Sequence, residues 1–160
     1  MTDNLDTPVR NSQQLLDNLL GNRRLTRRVI EVFPEEELFS FRIGDMRPFA
    51  EMIKELLQFG APMVEGVASG DWGEYPQLEL PVGKAELLEA WDSDTERIRA
   101  VWPQISADRF RAVEKAFGIF ESSGHDSIQY MVENEMHHRA QGYVYLRALG
   151  IEPPAFYNRS

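Results

Sequence analysis

Three histidines are the side chains best suited to acid–base or metal chemistry in this chain, and there is no cysteine to compete with them. Without cysteine there is no disulfide, no thiolate metal site and no cysteine nucleophile. The histidines are His125, His137 and His138. His137 and His138 are adjacent, so on a helix they point about 100 degrees apart and cannot both serve one site. His138 shares a helical face with Met131, Asn134, Gln141 and Tyr145, whereas His137 lies nearer Glu133 and Gln141. Two readings follow. Polar groups on an inner helix face are costly unless satisfied, so His138 and Asn134 are candidates for a site. Alternatively, His138 is a core histidine bonded to Asn134 or to a neighbouring helix, and His137 is a surface residue.

The acidic partners come from another segment. Glu55 lies beside Met52, Leu56 and Phe59, at the edge of an apolar stripe, and Glu51 lies one turn earlier, nearer the polar edge. A carboxylate in the position of Glu55 is a metal ligand, a buried base or a boundary residue. Facing His138 would weaken the boundary reading. Glu135 and Arg139 are four residues apart and are expected to pair along a helix surface, where such a pair contributes only a few tenths of a kcal/mol. No phosphate loop, dinucleotide fingerprint or nucleophile elbow is present, nor a pair of Glu-x-x-His motifs of the di-iron bundle type.

Four amphipathic stretches would have to position these residues. The first runs from about Pro8 to Phe33, with Thr7 as N-cap and Pro8 at the first helical position. Glu35, Glu36 and Glu37 open a short extra turn. The second covers about Met46 to Ala68, capped by Asp45, with Pro62 as a kink or break near its end. Ser69 to Val82 is rich in Gly, Pro and aromatics and reads as a long ordered loop, able to cover a site with Trp72 and Tyr75. The third helix spans Lys84 to Trp102. Ser106 to Phe120 is either a short helix or an extended crossover. The fourth helix runs from Ser123, whose spacing to Asp126 resembles a capping box, to Leu149, with Gly150 just past its end. The pattern predicts an all-α four-helix bundle in one domain, residues 1–160, with crossover connections.

Composition sets the outer limits. A chain of 160 residues, 42% apolar and 27% charged, is long enough to bury a real core. Its formal net charge of -9 argues against nucleic acid, which needs clustered Lys and Arg. One basic run, Arg23, Arg24, Arg27 and Arg28, is expected to form a solvated, salt-bridged face. No apolar run approaches a membrane span, and the first eight residues lack a signal-peptide pattern, so a cytoplasmic protein without membrane partners is expected.

The segment from Asn134 to Gln141, followed by Tyr145-Leu-Arg147 and by Gly150 to Pro154, resembles the last helix of the DinB/YfiT-like superfamily. Met46 to Glu55 resembles the second helix of that family, and Gly66 to Trp72 its following Gly-x-x-x-Gly-x-Trp stretch. The resemblance implies an up-down-down-up four-helix bundle, often a homodimer, with a divalent metal held by three histidines. One of those comes from helix two, and two come from a His-x-x-x-His pair on the last helix. It further implies thiol-dependent transferase or hydrolase-type chemistry on a small-molecule ligand. In this chain the three positions are Glu55, Asn134 and His138, so a single imidazole is retained. Such a set favours harder cations and weaker binding. The expectation divides between a metal-dependent enzyme using Zn, Ni, Mn or Fe and a metal-free binding or stress-response member with no cofactor.

Overall fold

The computed structural model describes residues 9–160 and is mostly helical. Its elements are α1 (Ser12–Val32), α2 (Glu35–Ser40), α3 (Phe49–Phe59), α4 (Ala61–Ser69), α5 (Lys84–Val101), α6 (Ala107–Arg111), β1 (Val113–Ala116), β2 (Phe120–Ser123) and α7 (Gly124–Ala148). A 3-10 turn, Trp102–Gln104, follows α5.

Local chemistry explains most boundaries. Asn11 caps α1 in a full capping box: its side chain accepts from Gln14 N, and the Gln14 side chain accepts from Asn11 N. The helix therefore begins at Ser12. The expected Thr7–Pro8 start lies outside the described residues. Ser123 caps α7 as expected, accepting from Asp126 N at 3.1 Å while its hydroxyl donates to Asp126 Oδ2 at 2.7 Å. Beyond the end of α7, Gly150 sits at φ 75, and Ile151 N bonds back to Leu146 O at 2.8 Å. That closes the helix with a left-handed glycine.

The expected second helix is two helices. Asp45 does not cap it: α3 starts after Pro48, with no side-chain cap. The break falls at Gly60, and Pro62 sits in the first turn of α4, where its missing N–H costs nothing. Asp94 of α5 supplies the missing cap, its Oδ1 accepting from Ala61 N at 2.9 Å. A β-carbon at Gly60 would collide with that carboxylate. The segment from 106 to 120 carries the expected short helix, but the rest of it is a hairpin strand and turn, not an extended crossover. It forms the short helix α6 and then an antiparallel hairpin, with Val113 opposite Ser123 and Ala116 opposite Phe120. Four-residue strands are too short to show a clear period of two.

Packing divides into two apolar clusters. One joins α1, α4, α5, the hairpin and α7 around Leu19, Val64, Ile98 and Ile128. The other joins α1, α2, α3, α5 and α7 around Phe33, Phe49, Ile53, Trp91 and Leu146. Phe33 and Phe49 stack with centroids 4.8 Å apart. Gly142 lets α7 approach α3 closely, since a β-carbon there would lie 2.6 Å from the Phe49 ring. That close approach brings Glu55 and His138 within reach of each other.

The basic run on α1 departs from expectation. Arg23 is buried, 2% exposed, and bonds Thr95 and Trp91 O while pairing with Asp94 at 2.9 Å. Its guanidinium carbon lies over the Trp91 ring, 3.9 Å from the centroid, in a cation–π contact. Only Arg27 keeps the expected role, pairing with Asp92 and Glu31. The expected polar face is thus partly an interior polar network, because α5 packs directly over it.

Candidate functional site

Successive residues of the 134–141 segment face three directions. Asn134 and His138, one turn apart, face α3. Glu135 and Arg139 face α1. His137 and Gln141 face solvent and bond each other at 2.9 Å. Helical spacing alone produces this division.

On the α3 side the three candidate residues converge. Glu55 Oε1 lies 3.0 Å from His138 Nε2 and 3.3 Å from Asn134 Nδ2. The other oxygen, Oε2, is 2.7 Å from Arg47 Nη2. Arg47 precedes α3, and its backbone carbonyl accepts from the buried Tyr145 hydroxyl at 2.9 Å. Tyr145 therefore holds the segment that delivers the guanidinium. Sequence reasoning missed Arg47: the expected second helix includes it, whereas it lies in the segment before α3, whose path is set by tertiary contacts. Glu51 stays apart, paired with Lys54 on the surface, and His125 is exposed beside Asp126.

The direction of each hydrogen bond is decided by charge. Burial raises the Glu55 carboxyl, but bonds from His138, Arg47 and Asn134 outweigh it and lower its pKa below 4.5. The ionised carboxylate only accepts, so His138 Nε2 carries its hydrogen toward Glu55. His138 itself is 5% exposed, and its Nδ1 has no partner among the described residues.

A pH dependence follows. The folded pKa of Glu55 lies below its unfolded value, so ionised Glu55 stabilises the fold in full above the ordinary carboxylate range. That contribution is lost as pH falls through the lowered folded value. Glu55→Gln is expected to lower Tm at pH 7 and to lose most of that deficit only as pH falls through the lowered folded value of Glu55. Thermal melts of both proteins between pH 7 and 3 check this. A deficit independent of pH would contradict it.

The long loop does not simply cover this cluster. Trp72 turns to the hairpin side, where its Nε1 donates to Glu114 Oε2 at 2.8 Å and its ring packs on Phe117. Arg109 grips the same carboxylate at 2.6 and 2.8 Å, and together Arg109 and Trp72 hold the Glu114 carboxyl at about 2. Tyr75 packs against Phe59 with the rings tilted and lies close enough to Glu55 to feel its charge. Burial, aided by that charge, raises the Tyr75 phenol.

A family model for the DinB family matches residues 71–160, more than half of the chain. The chain belongs to the DinB family. Two solved structures show the same fold. A DinB-like protein from Bacillus subtilis has 18% identity and a TM-score of 0.74, covering 92% of this chain and 99% of that one. A DinB-like protein from Bacillus cereus has 14% identity and a TM-score of 0.74, covering 91% and 97%. No curated protein matches the chain. The matched DinB residues include α7 and therefore Asn134 and His138, while Glu55 precedes them. Among the described residues, no three His, Asp or Glu side chains gather as a metal-holding group.

Proposed function

We propose that this DinB-family chain is a metal-free binding or stress-response member. In this reading a hydrogen-bonded Arg47–Glu55–His138–Asn134 cluster stands where relatives would hold a metal. The observation that carries it is the complete engagement of Glu55. Both carboxylate oxygens already accept from donors, and one donor is a guanidinium. A divalent cation needs lone pairs from its ligands. Here His138 Nε2 and the Asn134 amide nitrogen donate instead, so the donor set does not fit a divalent metal. Nor, among the described residues, does the other imidazole nitrogen have the outer partner that usually orients a metal-bound histidine.

Analysis of metal content in protein purified without chelators, with calorimetric titration of Zn, Ni, Mn and Fe, tests the reading. The expected result is no stoichiometric metal and no binding tighter than millimolar. Melting temperature is expected to be unchanged by chelator, since a ligand that does not bind the fold cannot stabilise it. Tight binding, or a chelator-induced drop of many degrees, would overturn the proposal in favour of a metal-dependent transferase or hydrolase. That second reading is favoured by one observation: Glu55 and His138 do converge, at 3.0 Å.

The finer architecture belongs to the same proposal. Within one domain, α1, the α3–α4 pair, α5 and α7 form an up-down-down-up four-helix bundle. This is supported by the packing of α7 on α1, α3 and α4 and of α5 on α1 and α4. A cytoplasmic homodimer that binds a small-molecule ligand, without nucleic acid, completes the reading. No helix among the described residues is long and apolar enough to cross a membrane.

A further inference from the structure

A second polar cluster lies beneath the C-terminal tail, formed by residues that the Glu55 cluster does not use. Residues 155–160 fold back over α1. Arg24 Nε donates to Arg159 O at 2.9 Å, and Arg28 donates to Asn158 O. Between this tail and α7 is a cavity of about 400 Å³. Its apolar wall is Met136, Ala140 and Phe156, and its polar wall is Arg139, Arg147 and Arg159. Neither Glu55, Asn134 nor His138 lines it.

Tyr143 also lines the cavity. It is 8% exposed, and its hydroxyl has no hydrogen-bond partner among the described residues. A buried hydroxyl without a partner costs free energy, so its presence asks for an explanation. The charge around it is one-sided. Burial raises the Tyr143 phenol, while Arg139, Arg28, Arg147 and Arg159 all pull it down. Arg139 is committed inward, to Asn22, Thr26 and Glu135. Arg147 and Arg159 have no described carboxylate within 4.0 Å. The Arg147 guanidinium lies 5.7 Å from the Tyr143 ring centroid and lines the cavity. Unmatched cations converge here in a chain whose net charge is -9.

We propose that this cavity binds a small organic carboxylate with an apolar body. Arg147 and Arg159 take the carboxylate, because a guanidinium matches its two oxygens. The Tyr143 hydroxyl donates to the same head group. Met136, Ala140 and Phe156 hold the apolar body, and the cavity volume suits a small ligand. The site is independent of the cluster around Glu55 and does not rest on its being metal-free.

Calorimetric titration of the full chain with 1-naphthylacetate, 1-naphthylacetamide and inorganic phosphate tests this. The acid is expected to bind tighter than about 1 mM, and the uncharged amide at least about tenfold more weakly. Inorganic phosphate, lacking an apolar body, is expected to bind more weakly than the acid. Arg147→Gln combined with Arg159→Gln should weaken the acid at least about tenfold. Tyr143→Phe should weaken it about threefold, and Glu55→Gln should leave it unchanged. Arg147→Gln alone, at an exposed position, keeps the test valid if the double variant folds poorly, and is expected to weaken the acid severalfold. No binding of the acid, equal binding of acid and amide, phosphate binding as tightly, or indifference to the arginine changes would each overturn the proposal. So would a dimer that buries this face and excludes the acid.

Discussion

Asp94→Ala is expected to be among the most damaging single substitutions in the protein, lowering stability by about 3–5 kcal/mol. Asp94 is 5% exposed and serves two elements at once. Its Oδ1 caps α4 through Ala61 N, and its Oδ2 lies 2.9 Å from Arg23 Nη2. Removing the carboxylate takes from Arg23, 2% exposed, its paired counter-charge and leaves only the weaker influence of Glu135 beyond ion-pair distance. The buried charge left without its ion-pair partner accounts for most of the expected loss, and the lost cap adds about 1 kcal/mol. In a domain of this size the change corresponds to a fall in Tm of about 10 °C or more. Urea denaturation and thermal melts measure it. The companion change Arg23→Met with Asp94→Leu, which removes both charges and restores volume, should recover part of the loss. A single variant within about 1 kcal/mol of the parent would show that the pair is not held as described.

Glu135→Ala is expected to cost a similar amount, about 3–5 kcal/mol. A helix-surface pair with Arg139 would predict only a few tenths. The two predictions differ by an order of magnitude, so one denaturation curve separates them. The larger figure follows from burial: Glu135 is 3% exposed and Arg139 6%. Glu135 accepts from the Thr26 hydroxyl at 2.5 Å and lies 3.6 Å from Arg139 Nη1. Arg139 in turn donates to Asn22 O, Asn22 Oδ1 and Thr26 Oγ1. Burial raises the Glu135 carboxyl and lowers the Arg139 guanidinium, so each depends on the other and on α1 to remain charged. Deleting Glu135 strands Arg139 in the interior. Arg97→Ala is a suitable control, because its pair with Glu65 is half exposed and should contribute no more than about 1 kcal/mol.

Much of the helical framework is legible in the chain because caps and helical spacing are local. Ser123 with Asp126, and Gly150 after the last turn, mark both ends of α7 within a residue. The pairing of Glu55 with His138 was anticipated through the resemblance to the DinB superfamily, since a family alignment carries long-range information that periodicity lacks. The break at Gly60 was not anticipated. Pro62 signalled a disturbance nearby, but the position of the break depends on Asp94, a residue more than thirty positions away. The hairpin was missed for a similar reason. Its stability comes from the turn at Phe117 and Gly118 and from the Arg109–Glu114–Trp72 contacts, not from a strand pattern.

The segment from Asn134 to Gln141 shows where local information ends. Its sequence alone determined a helix with Asn134 and His138 on one face, Glu135 and Arg139 on a second, and His137 on a third, because that follows from 3.6 residues per turn. It did not determine which of those faces meets water. Only the packing of α1 and α3 against α7 decided that the Glu135–Arg139 pair is interior and that Glu55 and Arg47 meet His138. Burial is a property of neighbours brought together by the whole fold, and the same two charges on one helix are marginal in water and costly to disrupt in the interior.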